Sequence, residues 1–240
     1  MLEEFNYFFE KLNIEKLKDQ SFIENELILT MGLNNEMLHE QPNELKKYFG
    51  KGFGLRIWQY PNQFSYYLKF LQENSKNINS YLEIGCRFGG TFILTTEYLR
   101  RLNSNFNNSV AIDIINPCPI LNEYLKFNSF SKFKKVNSLS VEFKQFIENN
   151  FFDIVFIDGN HSYSAVKNDA ELTKEKCNIQ VFHDIVSDAC PDTVFYWKEV
   201  KEKYKNTHNF YEFVQQYESV SGSYLGIGVA IRKEWINPNV

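Results

Sequence analysis

The stretch YLEIGCRFGGTFILTTEYL, residues 81–99, decides the fold of this chain. Residues 81–84 predict a buried strand, and the apolar spacing from Thr91 to Arg100 predicts a helix. The six residues between them, 85–90, include three glycines and predict a tight turn. A strand, a glycine turn and a helix in this order let backbone N–H groups and the positive end of the helix dipole face a nucleotide-type ligand. The alternative is that the glycines only close a sharp strand-to-helix turn.

The spacing inside this turn discriminates among nucleotide ligands. The dinucleotide fingerprint G-x-G-x-x-G needs a glycine at its second position so that a pyrophosphate can approach the backbone. This turn has Arg87 there, and Glu83 stands at the end of the preceding strand. Glu83 is expected to repel a phosphate but to accept a cation or an amine. The two residues favour an adenosine ligand with an amino-acid tail and no phosphate, which describes S-adenosylmethionine (SAM).

Composition indicates a soluble globular protein and excludes several function classes. The 240 residues are 43% hydrophobic and 23% charged, which suits one domain with a large core and an appended helical segment. A net charge of −4 gives no nucleic-acid footprint, and no apolar run approaches the roughly 18 residues of a membrane span. The four cysteines form no C-x-x-C pair, and the first residues carry acids where a signal peptide would carry bases. We therefore expect a cytoplasmic protein with a small-molecule partner, with no role for nucleic acid or membrane.

Residues 1–54 predict a helical segment that precedes the central unit. Apolar side chains recur there at helical spacing, namely Phe5, Phe8, Phe9 and Leu12, and residues 43–49 predict a second, short helix. The segment is interpreted either as a lid or dimerisation arm over the cofactor, or as a packing element. The oligomeric state is left open, a homo-oligomer included. A loop rich in aromatic and amide side chains follows and is a candidate to line the cleft, with Trp58, Tyr60 and Gln63.

A second strand ends in an acid at the position expected of a ribose-binding residue. Residues 110–114 predict a buried strand, and Asp113 lies about 20 residues beyond the glycine turn. An acid at this point can hydrogen-bond both ribose hydroxyls. The alternative is an aspartate that caps a loop.

Two later strands place acids at one edge of the predicted sheet. Residues 152–157 predict a central strand that runs into Asp158, and residues 179–182 predict the next strand, which runs into His183 and Asp184. Ligands bind outside the carboxyl ends of such strands, so these side chains are expected at the same rim. Two carboxylates and an imidazole suit Mg²⁺ or Mn²⁺ with positions left open for substrate. The alternatives are carboxylates that cap a helix or a turn, and a structural histidine.

Three segments together resemble the class I SAM-dependent methyltransferases: YLEIGCRFGGT at 81–91, FIDGNHSY at 156–163 and VFHDI at 181–185. Within that class they are similar to the macrolide and aminocoumarin sugar O-methyltransferases and to the cephalosporin-tailoring methyltransferase-like proteins, over roughly residues 55–232. The resemblance implies an α/β, Rossmann-like sandwich with a mostly parallel seven-stranded sheet and an antiparallel C-terminal strand. Strand patterns at 210–217 and 224–232 fit that ending. Residues 55–240 would be the catalytic domain and residues 1–54 the helical lid or arm.

The resemblance also implies a cofactor, an acceptor and site residues. The cofactor is SAM, and the acceptor is a hydroxyl of a small molecule, a sugar or sugar nucleotide in surface-polysaccharide or secondary-metabolite biosynthesis. The residues expected to bind SAM are Glu83, Gly85, Arg87, Gly89, Thr91, Asp113, Ile114, Ser138 and Asp158. In the family, carboxylates at the ends of strands four and five bind Mg²⁺, which maps onto Asp158 and Asp184. His183 stands where some relatives have a second acid and completes the expected metal set.

The chemistry of methyl transfer predicts the remaining roles. A hydroxyl is a poor nucleophile until it loses its proton, and a divalent cation lowers its pKa so that a positioned base can take the proton. His161 is the candidate base and His183 the second candidate, with Asp158 in the same catalytic set. The alternatives for His161 are to fix its loop or to bind the SAM carboxylate. Two other functions stay open: an NAD-dependent oxidoreductase, against which Arg87 counts, and a non-catalytic SAM-binding module.

Overall fold

The computed structural model of the chain describes residues 2–36 and 40–236. Its centre is a seven-stranded sheet, whose strands are β1 Ser80–Ile84, β2 Asn108–Asp113, β3 Ser131–Lys135, β4 Phe152–Ile157, β5 Cys177–His183, β6 His208–Phe213 and β7 Ile227–Arg232. They are arranged in the order β3-β2-β1-β4-β5-β7-β6. β7 runs antiparallel to both of its neighbours, and the other six strands share one direction. The expected mostly parallel sheet with one antiparallel strand near the C-terminus is confirmed.

Helices flank the sheet and connect its strands. They are α1 Leu2–Lys11, α2 over residues 20–31, α3 Pro61–Asn74, α4 Gly90–Leu102, α5 Pro119–Phe127, α6 Val141–Glu148, α7 Tyr163–Thr173, α8 Pro191–Tyr204 and α9 Lys233–Ile236. The middle of α2, Ile23–Leu27, is a π-helical turn, and Asp19 caps the helix by accepting hydrogen bonds from the N–H groups of Ser21 and Phe22. Among the described residues, no helix is both long enough and apolar enough to cross a membrane.

The order of the strands fixes where a ligand can bind. The chain builds outward from β1 through β2 to β3 and then crosses to β4 on the other side of β1. This reversal is a topological switch point, where a crevice opens outside the carboxyl ends of the two adjacent strands. The ends are in register, because Ile84 pairs with Ile157 and the Asp158 N–H donates to the Ile84 carbonyl at 2.9 Å.

Each face of the sheet is covered by its own apolar layer. Alternate residues of a strand point to opposite faces, so Tyr81 and Phe156 lie in one layer while Leu82 and Val155 lie in the other. The first layer continues into the N-terminal segment, whose buried apolar side chains include Phe5, Phe9, Leu17, Ile23, Leu27 and Ile28. The segment before the sheet therefore packs into the same core as the central strand.

The second helix expected over residues 43–49 is only one 3-10 turn, Asn43–Leu45. The chain then turns at Tyr48 and forms an isolated bridge between Phe49 and Leu33, which holds it extended. The longer N-terminal helical stretch is α2, which lies within residues 1–54, the segment expected to be helical.

Candidate active site

A cleft of about 770 Å³ opens at the carboxyl ends of β1, β2, β4 and β5. Eleven of the expected site residues line it: Glu83, Gly85, Arg87, Thr91, Asp113, Ile114, Ser138, Asp158, His161, His183 and Asp184. Gly89 instead serves the backbone, since it adopts a φ of 78° just ahead of α4 and a Cβ there would lie 2.9 Å from a methyl carbon of Leu121. The fold thus brings the predicted SAM residues and the predicted metal residues to one cleft.

The glycine turn is shaped by the close approach of neighbouring strands. Gly85 has a φ of 87°, and a Cβ at this position would lie 2.0 Å from the carbonyl oxygen of Asp158. A Cβ on Gly90 would lie 2.3 Å from the carbonyl oxygen of Leu55. These contacts give the glycines a packing role, and the same close approach brings the end of β1 against the end of β4 at the floor of the cleft.

Asp113 joins the end of β2 to the glycine turn. Its Oδ2 accepts a hydrogen bond from the Arg87 N–H at 2.7 Å, and its Oδ1 accepts one from the Ile115 N–H at 3.1 Å. Each carboxylate oxygen has a second lone pair, so two ribose hydroxyls can still donate to this half-buried side chain. Loop capping and ribose binding, the two interpretations of this residue, are therefore compatible.

Ser138 lines the cleft, but its hydroxyl is used within the protein. Its Oγ donates to Asp169 Oδ2 at 3.1 Å, and the side chain of Asn168 donates to its carbonyl oxygen at 3.1 Å. Asp169 has no exposed surface, and burial raises its pKa to about 6, against hydrogen bonds that lower it. An adenine contact by the Ser138 side chain would have to use the oxygen as an acceptor.

Glu83 is buried at the floor of the cleft and is hydrogen-bonded by the hydroxyl of Tyr81, two residues earlier on the same strand face. Burial raises the pKa of Glu83 well above its ordinary value, although the hydrogen bond from Tyr81 opposes the shift. A neutral carboxyl does not repel phosphate, so the expected repulsion at this position requires Glu83 to be ionised.

Four side-chain atoms from the carboxyl ends of β4 and β5, and from the residues just after them, meet at the rim of the cleft. Asp158 Oδ1 and Asp184 Oδ2 each lie close to both imidazoles: His161 Nε2 is 3.3 Å from either oxygen, and His183 Nδ1 is 3.1 and 3.2 Å from them. We call these four side chains the rim quartet. It contains the three expected metal residues together with His161, the expected base.

Charges within the rim quartet shift the pKa values of its members strongly. Burial raises the pKa of Asp158, but the positive charge of His183 and a hydrogen bond from His161 hold it at about 2. Hydrogen bonds to Asp158 and Cys190 raise the pKa of His161 to about 10. Burial lowers the pKa of His183, but the charges of Asp158 and Asp184 outweigh that effect and raise it well above its ordinary value. In the ligand-free chain the quartet is thus a network of charged carboxylates and imidazolium groups.

Each imidazole of the quartet has an outer partner on its second nitrogen. His183 Nε2 lies 2.8 Å from Oε1 of Gln59, a residue 124 positions earlier, and His161 Nδ1 lies 3.2 Å from Sγ of Cys190. Gln59 and Cys190 are both buried. Sequence reasoning missed these two residues; Gln59 belongs to the amide-rich loop that was noted, whereas no spacing pattern points to Cys190.

A cationic and aromatic cluster lies at the mouth of the cleft. The Glu36 carboxylate pairs with Arg56 and with Arg87, each at 3.0 Å. The Arg56 guanidinium stacks 3.7 Å from the centre of the Phe88 ring, and Arg87 lies 4.3 Å from the Trp58 ring. Glu36 and Arg56 were not predicted as site residues, since the residues that they contact are distant in sequence.

The loop expected to line the cleft does so only in part. Trp58 lines it, whereas Tyr60 packs edge-on against Tyr217, with ring centres 5.3 Å apart. Gln63 is fully buried, donates to the Gln215 carbonyl at 2.7 Å and accepts from the Gly226 N–H at 2.9 Å. Tyr60 and Gln63 therefore hold α3 against the last hairpin and do not face the cleft, since the helix that follows Pro61 turns them away from the strand ends.

Comparison with known proteins agrees with this architecture. A family model described as a methyltransferase domain matches residues 82–185, the span from β1 to the end of the rim quartet. No curated protein sequence matches the chain significantly.

Solved structures share the fold at low sequence identity. An O-methyltransferase from Bacillus cereus in complex with SAH is 15% identical, with 95% of this chain and 96% of that chain covered and a TM-score of 0.51. A proposed RNA methyltransferase from Pyrococcus horikoshii is 12% identical, with 87% and 96% covered and a TM-score of 0.51. A proposed caffeoyl-CoA O-methyltransferase from Staphylococcus aureus is 14% identical, with 70% and 83% covered and a TM-score of 0.50. The acceptors named for the last two differ, so the likeness shows the fold and not the acceptor. The comparisons thus match a methyltransferase domain over residues 82–185 and show the fold around it.

Proposed function

We propose that this chain is an O-methyltransferase that uses SAM to methylate a hydroxyl of a small molecule, a sugar or sugar nucleotide in surface-polysaccharide or secondary-metabolite biosynthesis. The observation that carries the proposal is that two features line one cleft. The first is the glycine turn together with Asp113, and the second is the rim quartet. The first pair fits a nucleoside with an amino-acid tail. The second provides charged groups where an acceptor hydroxyl would lie.

The SAM-binding role rests on the ends of β1 and β2. Asp113 has lone pairs left for the ribose hydroxyls, and Glu83 can ionise to pair with the ammonium group of the cofactor. The expected contacts of Thr91, Ile114 and Ser138 follow from their places along the wall of the same cleft. Arg87 packs on Trp58 and so has its guanidinium at the mouth.

The chemical role rests on the rim quartet. Asp158, Asp184 and His183 would hold a divalent cation, which when bound lowers the pKa of an acceptor hydroxyl. The sulfonium methyl is already reactive, so the chain's remaining task is to align the hydroxyl with it. The buried carboxylate of Asp184 and the buried Gln59 hold the quartet in place for that alignment.

His161 can act as a base or as a ligand, but not as both at once. Its Nε2 faces the carboxylates of Asp158 and Asp184, and a nitrogen that binds a cation has no lone pair left for a proton. His183 is less suited to the base role, because it is 4% exposed and both ring nitrogens face protein groups.

The acceptor class is supported by the mouth of the cleft. Guanidinium groups bind phosphate in a bidentate manner, and Arg56 and Arg87 present two of them beside the rings of Trp58 and Phe88. A sugar nucleotide offers phosphates to the guanidinium groups and apolar ring faces to the aromatic rings. Glu36 occupies both arginines in the ligand-free chain.

Calorimetric titration of the full chain with SAM, NAD and NADH tests the cofactor. We expect SAM alone to bind, and we expect Asp113→Asn to weaken SAM binding by about tenfold or more, because a carboxylate accepts stronger hydrogen bonds than an amide. Glu142→Gln, on the exposed face of α6, is the matched control and should bind SAM normally. Binding of NADH in place of SAM would contradict the proposal and favour the oxidoreductase alternative.

A methyl-transfer assay with candidate sugar nucleotides tests the reaction. Asp184→Asn should bind SAM with unchanged affinity but lose transfer, because Asp184 belongs to the rim quartet and not to the glycine turn. Full transfer by this variant would rule out an essential role for the quartet. SAM binding by the wild-type chain with no transfer to any acceptor would favour the non-catalytic binding module.

A further inference from the structure

We propose that the rim quartet is a four-ligand binding site for a first-row transition-metal ion of the Zn²⁺ type, which favours nitrogen ligands. His161 is the fourth ligand, and the site is not one for the hard ion Mg²⁺. The inference deepens the function proposed above and rests on it only for the place of the site in the reaction. The geometry of the four side chains, one unpartnered nitrogen and the chemistry of the donor atoms support the site itself.

The nitrogen-to-oxygen spacings within the quartet match those of neighbouring ligands around a single ion. Zinc takes nitrogen and carboxylate oxygen ligands at about 2.0–2.2 Å, so two ligands at angles of about 90–110° are about 2.8–3.6 Å apart. The four nitrogen-to-oxygen separations of the quartet are 3.1, 3.2, 3.3 and 3.3 Å. Nitrogens and oxygens alternate around this ring, so each carboxylate oxygen lies between two imidazoles.

The geometry of His183 points to an occupant between the carboxylates. Its Nδ1 is buried and, among the described residues, has no hydrogen-bond partner of acceptable angle, even though two carboxylate oxygens lie within 3.2 Å. Nε2, on the other side of the ring, faces Gln59 Oε1, an acceptor, so the proton belongs on Nε2. With a proton on Nε2 alone, the Nδ1 lone pair would face two anionic oxygens, so this position requires positive charge: a second proton on the imidazole in the ion-free chain, or a metal ion that replaces that proton.

The outer partners of the imidazoles are those that metal-binding histidines have. A histidine that binds a metal donates its other N–H to a neighbouring acceptor, which fixes the tautomer and the ring orientation. Gln59 Oε1 is such an acceptor for His183 Nε2–H, and Cys190 Sγ lies in the same relation to His161 Nδ1. Both imidazoles are thereby oriented with the second nitrogen toward Asp158 and Asp184.

Donor chemistry decides the class of ion. Mg²⁺ prefers an octahedron of oxygens and keeps several waters, whereas imidazole suits zinc and its first-row neighbours. Half of the donors in the rim quartet are imidazole nitrogens, and Asp184 and His183 are each only 4% exposed, which leaves little room for a water shell on that side. The quartet therefore fits a zinc-type ion better than the Mg²⁺ or Mn²⁺ expected from the carboxylates alone. His161 then cannot serve as the base.

The test is direct ion binding by the full chain after treatment with a chelator. We expect calorimetry to show Zn²⁺ binding at least about 100-fold tighter than Mg²⁺, with one ion per chain. Co²⁺ bound by the rim quartet should give the visible absorption of a four-coordinate site with nitrogen ligands. This readout needs neither SAM nor an acceptor.

Histidine variants assign the ligands. His161→Gln and His183→Gln should each weaken Zn²⁺ binding by about 100-fold or more and change the Co²⁺ spectrum, and Gln59→Leu, which acts through His183, should weaken it by about 10–100-fold. His208→Gln is the matched control, because His208 begins β6 at the opposite edge of the sheet and should bind Zn²⁺ as the wild type does. Thermal melts of each variant identify any that fail to fold, and the wild-type comparison of Zn²⁺ with Mg²⁺ does not depend on them.

Three results would overturn the inference. They are Mg²⁺ binding as tight as Zn²⁺, unchanged Zn²⁺ affinity in His161→Gln, and no ion binding at all, which would mean that protonated imidazoles hold the quartet together. Zn²⁺ binding by a chain that does not bind SAM would instead support the proposed metal site and refute the proposed function.

Discussion

Asp169 is a buried acid next to the predicted adenine wall, and it makes the stability of the chain depend on pH. It accepts hydrogen bonds from Ser138 and from Asn168, but burial still raises its pKa from an ordinary value of 3.8 to about 6. Between these two values the folded chain holds a proton that the unfolded chain has lost. The free energy of unfolding therefore falls as pH rises from about 4 to about 6, and this loss persists at higher pH.

Asp169→Asn should remove this loss, because the amide is neutral at every pH and can still accept from Ser138. Relative to the wild type, the variant should gain stability between pH 4 and pH 6, by about 3 kcal/mol at most, and keep the gain above pH 6. Urea unfolding at pH 4, 5, 6 and 8 measures the difference. A difference that does not change with pH would show that Asp169 is ionised in the folded chain.

At the scale of single residues, the sequence predicts the side chains that end strands and not their distant partners. Asp113, Asp158 and Asp184 could be found because each follows an apolar run that reads as a strand. Gln59 and Cys190 could not, because their contacts join segments 124 and 29 residues apart and depend on how loops pack. The binding and catalytic roles of all these residues stay predictions.

At the scale of elements, the glycine turn after β1 packs against the end of β4, and the closest approach is at Gly85, the first glycine of the turn. A Cβ on Gly85 would meet the Asp158 carbonyl oxygen at 2.0 Å, on a backbone with a φ of 87°. Gly85→Ala should therefore lower the free energy of unfolding by at least about 3 kcal/mol and disturb the rim quartet through Asp158. Urea unfolding and SAM titration measure the two effects.

Gly159→Ala is the control for this prediction, because the same change is made one residue beyond Asp158. A Cβ there would meet Asp169 Oδ2 and Ile84 Cγ2 at 3.5 Å, which is ordinary contact. We expect its stability to stay within about 1 kcal/mol of the wild type. Equal losses in both variants would show that the close approach at Gly85 is not the cause.

Elements with strong periodicity were predictable, and those shaped by contacts were not. β1, β4 and β5 are rich in buried apolar residues, as strands covered on both faces should be. α2 lies within the segment expected to be helical, although its bounds were not predicted. Its buried residues Ile23, Leu27 and Met31 recur at helical spacing. The turn at Asn43–Leu45 was overestimated as a helix because the Leu33–Phe49 bridge, invisible in the sequence, pulls the following chain straight.

At the scale of the whole molecule, the N-terminal segment and the sheet share a core. Phe9 in α1 is fully buried and belongs to the layer that contains Tyr81 of β1, whereas Tyr7 of the same helix is 63% exposed. Phe9→Ala should therefore lower the free energy of unfolding of the entire chain by about 3–5 kcal/mol, and Tyr7→Ala by no more than about 0.5 kcal/mol.

Fluorescence and circular dichroism, followed together in urea, measure this effect. A shared core predicts that both signals change in one transition, which moves to lower urea in Phe9→Ala. An early transition for the helices alone, with the sheet unaffected, would show instead that residues 1–54 behave as a separate arm.

The backbone of Asp184 carries a consequence for how this protein can change over time. The residue has a φ of 59°, a conformation that glycine adopts freely, and its carboxylate lies beside that of Asp158. A mutation to glycine would relax this backbone, but it would also remove a carboxylate that the fold stabilises: burial raises the pKa of Asp184, yet the positive charge of His183 lowers it below its ordinary value. Aspartate thus keeps a backbone cost that glycine would avoid, and its retention in a lineage would record selection for the carboxylate of the rim quartet.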